Sequence, residues 1–135
     1  MSQIKEEARE LAKLIRAVVF DVDGVLTDNR VLEGASYNAK WRSYYDGQGV
    51  SLLRAIGIFV CFVTNEKGEW IQNVVKKWND LPSSRKPENP NGWAHVTLFT
   101  GMGGDKKVVA AKSWLKEIGA SFDECAAMGD DNEFN

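Results

Sequence analysis

Val18-Val19-Phe20-Asp21-Val22-Asp23-Gly24-Val25-Leu26-Thr27-Asp28 is the stretch on which the reading of this chain turns. It opens as a short apolar run with the length and composition of a buried parallel strand, then becomes abruptly acidic. Burying a lone carboxylate is costly unless it is paired or holds a metal. Open α/β sheets place their ligands just beyond the carboxyl ends of strands, which is where Asp21 and Asp23 fall. Gly24 supplies tight backbone geometry beside them. The two acids can share a divalent cation, one oxygen each or one of them through its backbone carbonyl. From these residues alone, the plain alternative is an acidic turn after a core strand.

Upstream, residues 3–17 carry Ile4, Ala8, Leu11 and Ile15 at helical spacing, which predicts an amphipathic helix. Downstream, Asn29–Leu32 and Ser36–Asn38 predict a small β-hairpin around Glu33-Gly34-Ala35, standing over the two acids like a flap. The alternation fails around Ala39–Arg42. Asp46 is placed to cap a helix over Gly47–Ile56, which Gly57 stops. Ile58–Val63 is a second buried strand closed by Thr64-Asn65, followed by a helix from Gly68 to Trp78. Residues 79–92 contain all three prolines and read as a surface loop, long for its place. His95–Phe99 is the third strand and Gly101–Gly104 a flexible bend. Asp105 is placed to cap a helix with Val108, Ala111, Leu115 and Ile118 on one face, ended by Gly119. Cys125–Met128 is the fourth strand, followed by Gly129-Asp130-Asp131.

This alternation of strand and helix predicts one α/β domain over residues 1–135, a Rossmannoid parallel sheet flanked by helices. Right-handed crossovers give the spatial order third, second, first, fourth strand, which makes the two acidic strands neighbours. The composition, 44% hydrophobic and 27% charged, suits one modest core. A net charge of −2 gives no basis for bulk nucleic-acid binding. No run approaches membrane-spanning length and the start lacks a secretory apolar region, so the cytoplasm is the default compartment. Cys61 and Cys125 sit in apolar runs, as reduced buried thiols do.

A parallel sheet brings Asp21, Asp23, Thr64, Lys107, Asp130 and Asp131 towards one edge. Acids from the first and fourth strands suit Mg²⁺, which wants hard oxygen ligands. A hydroxyl and an ammonium opposite them suit phosphate oxygens, and an aspartate can attack phosphorus covalently.

At these residues the chain resembles the haloacid dehalogenase-like phosphatases. Asp21–Asp28 resembles their first motif, Thr64 the second, Lys107 the third and Gly129-Asp130-Asp131 the fourth. The resemblance covers about residues 17–133, with Lys106 the alternative to Lys107. Within the superfamily the chain is similar to the small capless branch, which includes 3-deoxy-D-manno-octulosonate 8-phosphate phosphatase and the phosphatase-like domains of acylneuraminate cytidylyltransferases. The short hairpin and Asp46-Gly47-Gln48-Gly49 carry that likeness, and no stretch between the first two motifs is long enough for a large cap. The resemblance implies Asp21 as nucleophile and Asp23 as acid and base. Phosphate contacts fall to Thr64, Asn65 and Lys107, and Mg²⁺ to Asp21, Asp23 and Asp130. Asp131 is a second ligand or orients Lys107, and Asp46 caps its helix or touches substrate. It further implies a phosphorylated sugar acid as substrate and a homotetramer in which neighbours serve as the cap. Trp41, Tyr44, Tyr45, Trp70 and Trp93 are the aromatics expected between subunits.

The chain departs from that branch in three places. Thr64-Asn65-Glu66 replaces Thr-Gly-Arg, so the arginine expected at substrate is missing, with Lys67 next to the gap. Tyr45 stands where a basic residue is usual before Asp-Gly, and Phe134 where a further Asp is usual. The resemblance also implies a C-terminal truncation before the family's final strand and helix. The rival reading is a non-catalytic or regulatory domain that keeps the fold.

Overall fold

The computed structural model describes residues 2–22, 27–33, 38–42 and 44–129. Helix α1 spans Ser2–Lys13 and strand β1 Ala17–Asp21. Strands β2 (Thr27–Glu33) and β3 (Asn38–Arg42) precede helix α2 (Tyr44–Ala55). Then come β4 (Phe59–Val63), α3 (Glu69–Asn79), β5 (Thr97–Phe99), α4 (Lys106–Ile118), a 3₁₀ turn at Phe122–Glu124, and β6 (Cys125–Met128).

Each apolar run becomes a strand of one parallel sheet in the order β5-β4-β1-β6. This is the expected order, and it makes β1 an inner strand. Val19 pairs with Cys61 on one side and Ala127 on the other, and Phe20 with Phe62 and Met128. Strand alternation sends successive side chains to opposite faces. Ala17, Val19, Cys61 and Val63 pack on one face beneath Ala111, Trp114 and Leu115 of α4. Val22, Val60 and Phe62 pack on the other beneath Ile71, Val74, Val75 and Trp78 of α3 and Val50 of α2. Phe62 is stacked on Phe20 at 5.3 Å and tilted against Trp78 at 5.6 Å. A sheet covered on both faces explains why its strands carry no polar alternation. Gly119, at φ +75°, ends α4 with its N–H on the Leu115 and Lys116 carbonyls, a left-handed cap that favours glycine.

Among the described residues, the elements between β1 and β4 are the antiparallel β2–β3 hairpin and α2, with β3 lying against α3. β3 covers Asn38–Arg42, the segment where the expected alternation failed, and its pairing with β2 carries a register shift between Thr27 and Val31. Cys61 is buried and its thiol is pushed well above the ordinary range by desolvation. Cys125 is half-buried, with its pKa raised by the same cause. Among the described residues, no helix is long and apolar enough to cross a membrane.

Several boundaries differ from expectation, and three of the differences have a hydrogen-bonded cause. The first helix ends at Lys13 rather than running to residue 17, because Arg16 already belongs to the sheet's edge. The Arg16 N–H donates to Glu124 O and its carbonyl accepts from Phe59 N. The apolar face of α1 is also not covered by the described residues, with Ile4 and Leu11 exposed. The third strand begins at Thr97 rather than His95. The Asn79 side-chain amide takes both backbone groups of Val96, donating to its carbonyl and accepting from its N–H, as a neighbouring strand would.

The third difference is the loop between α3 and β5, which is built rather than irregular. Arg85 N donates to Trp93 O, Trp93 N to Ser83 O, and Lys86 and Asn89 exchange backbone bonds. Its anchor is Arg54 of α2, only 3% exposed. The guanidinium donates to Ala94 O, Trp78 O and the Ser84 hydroxyl, and lies 5.5 Å over the Trp93 ring. The Ser84 hydroxyl passes its own proton to Trp78 O. His95 lies outside the site, its Nε2 against Arg85 O in the same loop. Trp70 packs on the α3-side core and Trp93 beneath Arg54, so two of the five interface aromatics are used within their own chain. The side chains of Trp41, Tyr44 and Tyr45 lie outside the described residues.

Arg54→Met removes the donors for two carbonyls and a buried hydroxyl at once. It is expected to lower unfolding free energy by about 2–4 kcal/mol. Urea denaturation measures this, with faster amide exchange over residues 80–96 as the local signature.

Candidate active site

The site is built where β1 and β4 end. β1 delivers Asp21 as its last residue, 4% exposed. Its Oδ1 accepts the Val22 N–H at 2.8 Å, and its Oδ2 accepts Lys107 Nζ at 3.2 Å. Lys107 is equally enclosed, 5% exposed, in the first turn of α4. The two charges come from positions far apart in sequence and are desolvated together. Such a pair is held by its mutual attraction, and removing one partner strands the other.

Burial of a lysine follows from the phase of α4. Lys107, Ala111 and Trp114 are spaced i, i+4, i+7, so packing Trp114 and Ala111 on the sheet turns Lys107 inward. Lys106, one residue earlier, is exposed. The structure therefore brings Lys107, and not Lys106, to Asp21. Asp105 occupies the N-cap position of α4 as expected but makes no side-chain cap bond; Lys106 N bonds Gly103 O and Lys107 N bonds Gly104 O.

Thr64 follows β4 and is 1% exposed. Its hydroxyl accepts the Glu66 N–H at 3.1 Å, which leaves its own proton available to an anion. Its backbone is fastened to the neighbouring strand end, Thr64 N to Phe99 O and Met102 N to Thr64 O. Gly101 N donates to Glu66 O. The turn after β4 and the glycine bend after β5 are thus one unit. The bend is a seat rather than a flexible link. A Cβ on Gly103 would lie 2.8 Å from Asn65 Oδ1, so the Asn65 amide rests on the bare glycine. Sequence reading missed these seats, and their only signal was the spacing of the glycines.

Asp46 is exposed in the first turn of α2 rather than at its cap, because the helix starts at Tyr44. A negative charge there still complements the helix dipole. Asp23, Asp130 and Asp131 lie outside the described residues. The register nevertheless ends β1 and β6 side by side, Phe20 against Met128, one residue before Asp21 and before Gly129. The described part of the donor set is hard oxygen of the kind Mg²⁺ takes: the Asp21 carboxylate, whose Oδ1 accepts the Val22 N–H and whose Oδ2 accepts Lys107 Nζ.

No protein-family profile matches the chain, and no curated protein does. Solved structures do. A candidate HAD superfamily (subfamily III A) hydrolase of Legionella pneumophila is 26% identical over 98% of this chain and 66% of its own, with a TM-score of 0.77. A candidate YrbI-family phosphatase of Pseudomonas syringae is 27% identical over 92% of this chain and 61% of its own, with a TM-score of 0.74. The 3-deoxy-D-manno-octulosonate 8-phosphate phosphatase of Moraxella catarrhalis was crystallised with magnesium, phosphate and 3-deoxy-D-manno-octulosonate (KDO). It is 23% identical over 92% of this chain and 62% of its own, with a TM-score of 0.72. The chain therefore spans between 61% and 66% of these proteins. Its fold is haloacid dehalogenase-like without a large cap, and its similarity to the superfamily's hydrolases is distant.

The Asp21–Lys107 contact is open to a double-mutant cycle. Lys107→Met alone is expected to destabilise the fold by about 2–4 kcal/mol, and adding Asp21→Asn to recover part of that loss. Urea unfolding of the four proteins yields the coupling energy; strict additivity would mean that the contact contributes nothing.

Proposed function

We propose that this chain hydrolyses a phosphomonoester through a covalent aspartyl-phosphate on Asp21, with Mg²⁺ as cofactor. The observation that carries the reading is the buried Asp21–Lys107 pair at the carboxyl edge of the sheet, with buried Thr64 following the neighbouring strand β4. An ionised carboxylate held there by a cation is a nucleophile with its counter-charge in place. Lys107 and Thr64 then serve the phosphoryl oxygens as charge is redistributed during transfer.

Asp21 attacks phosphorus in line and the P–O bond to the sugar breaks. Asp23, protonated at that stage, gives its proton to the leaving alkoxide. As the conjugate base, it then takes a proton from water, which attacks the aspartyl-phosphate and releases phosphate and free Asp21. Mg²⁺ would be held by Asp21, the Asp23 backbone carbonyl and Asp130. When bound, it offsets the repulsion between the carboxylate and the anionic ester. Asp131 supports the cation or Lys107, and Asn65 adds a polar contact to phosphate from its seat on Gly103.

The substrate class is a primary phosphate on an acidic eight- or nine-carbon sugar, supported by distant likeness to the Moraxella phosphatase and its bound ligands. The motif resemblance in the sequence extends the proposal to a cytoplasmic protein assembled as a homotetramer, in which neighbouring subunits close the uncapped site. One observation favours a second reading, a regulatory domain without turnover: Asn65 and Glu66 occupy the positions of the branch's glycine and arginine.

Incubation with Mg²⁺ and a labelled phosphate ester separates the two readings. Wild type is expected to release phosphate and to trap label on Asp21 after acid quench. Asp21→Asn is expected to lose at least about a thousandfold in kcat, and chelation of Mg²⁺ to silence wild type. Equal turnover by wild type and Asp21→Asn would refute the mechanism. No turnover across a broad panel, with folding intact, would favour the regulatory reading.

A further inference from the structure

Asn91 is the only asparagine in this sequence that a glycine follows. The pairing matters chemically. The backbone nitrogen after an asparagine can attack its side-chain carbonyl carbon, and a residue without Cβ obstructs that attack least. The structure explains why glycine stands there. A Cβ built on Gly92 would lie 2.7 Å from C and O of Ser84 and 2.7 Å from Asn89 Nδ2, so the Ser84 backbone leaves no room for a side chain. Ser84 is itself fully buried, with its hydroxyl accepting from the Arg54 guanidinium at 2.8 Å. The packing that anchors the loop between α3 and β5 thus enforces the reactive Asn-Gly pair.

The same packing holds the pair unreactive. Asn89–Gly92 is a β-turn with Pro90 and Asn91 at its centre, and Gly92 N donates to Asn89 O at 3.1 Å. Trp93 carries the bonding on, its N–H donating to Ser83 O at 2.7 Å and its carbonyl accepting from Arg85 N at 2.8 Å. Asn91 is exposed, so folding withholds the nucleophile rather than the group attacked. Gly92 N must leave Asn89 O, lose its proton and swing onto Asn91 Cγ. A backbone bonded on one side to the turn and on the other to Ser83 and Arg85 does not permit that movement. The attack waits for the loop to open, and such openings are local events that fall short of global unfolding.

We propose that Asn91 is a site of spontaneous deamidation whose rate is set by opening of the Arg54-anchored loop. Gly92 N gives its proton to solvent and bonds to Asn91 Cγ. The Cγ–Nδ2 bond breaks and ammonia leaves, closing a succinimide ring. Water then adds at either ring carbonyl and reopens it to aspartate, or to isoaspartate, whose main chain runs through the side-chain carbons. The reaction needs only water and is independent of the phosphatase reading. Both products place a new negative charge at residue 91. Isoaspartate also lengthens the main chain beside Ser84, where even a Cβ has no room.

The test incubates the full chain at mildly alkaline pH, native and urea-unfolded, and follows conversion at each asparagine by peptide mapping with mass spectrometry. Labelling by an isoaspartyl methyltransferase scores the isomerised product. The native wild-type rate at Asn91 is expected to lie at least about thirtyfold below that of the unfolded chain. Arg54→Met is expected to raise the native rate about thirtyfold, the factor that about 2 kcal/mol of lost loop stability represents. Asn89→Ala is the second variant, and it leaves Arg54 in place. It removes the side-chain bonds to Pro82 O and Ser84 O but keeps the backbone acceptor for Gly92, and about a fivefold rise is expected from it. Equal rates in native and unfolded protein, a native rate that neither substitution moves, or an unfolded chain that converts its other asparagines as fast as Asn91 overturns the inference.

Discussion

The structure depends on a carboxylate that must be charged where water is scarce. β1 is flanked on both sides, by β4 and β6, so the residue at its end cannot turn away into solvent without leaving the sheet. Asp21 therefore needs a counter-charge from another element, and α4 supplies it through Lys107. Much else follows from that demand. α4 must begin at the carboxyl edge, the bend Gly101–Gly104 must bring it there, and the phase of the helix must turn one lysine inward while Trp114 and Leu115 seal the sheet beneath. Buried ion pairs add little net stability for their cost, so a pair retained in this position is better read as poised chemistry than as a staple.

Stability and chemistry occupy different ends of the molecule. Away from the carboxyl edge, Arg54 ties α2 to the segment between α3 and β5, using carbonyls, a hydroxyl and an aromatic face rather than an acid. The bonds there are local and the charge is spread over a planar guanidinium, which tolerates partial desolvation better than an ammonium. At the carboxyl edge the enclosed polar groups are instead an ion pair, Asp21 with Lys107, and the Thr64 hydroxyl, which accepts a backbone N–H. The turn after β4 and the bend after β5 are locked by backbone bonds, so side chains on them are positioned without contacts of their own. That arrangement fixes Thr64 through backbone bonds, independently of the side chains of Asn65 and Glu66.

The sheet, its strand order and the place of Asp21 at its carboxyl edge were legible in the residues. Buried parallel strands are continuous apolar runs, as at Val18–Phe20 and Phe59–Val63, and right-handed crossovers leave few ways to order four of them. Asp21 and Thr64 were visible because polar residues at the ends of such runs have nowhere else to go, whereas the lysine pair at 106–107 was visible only through the motif resemblance. Tertiary structure decided what depends on partners remote in sequence. Adjacent helix positions differ by about 100°, so choosing Lys107 over Lys106 required the packing of Trp114 and Ala111 on the sheet. The first helix stops short because the backbone of Arg16 is claimed by Glu124 and Phe59, and β5 starts late because the Asn79 side chain takes the place of a strand beside Val96. Local pattern states what a segment prefers; these boundaries and this choice of lysine were set by hydrogen bonds and packing that form only when distant segments meet.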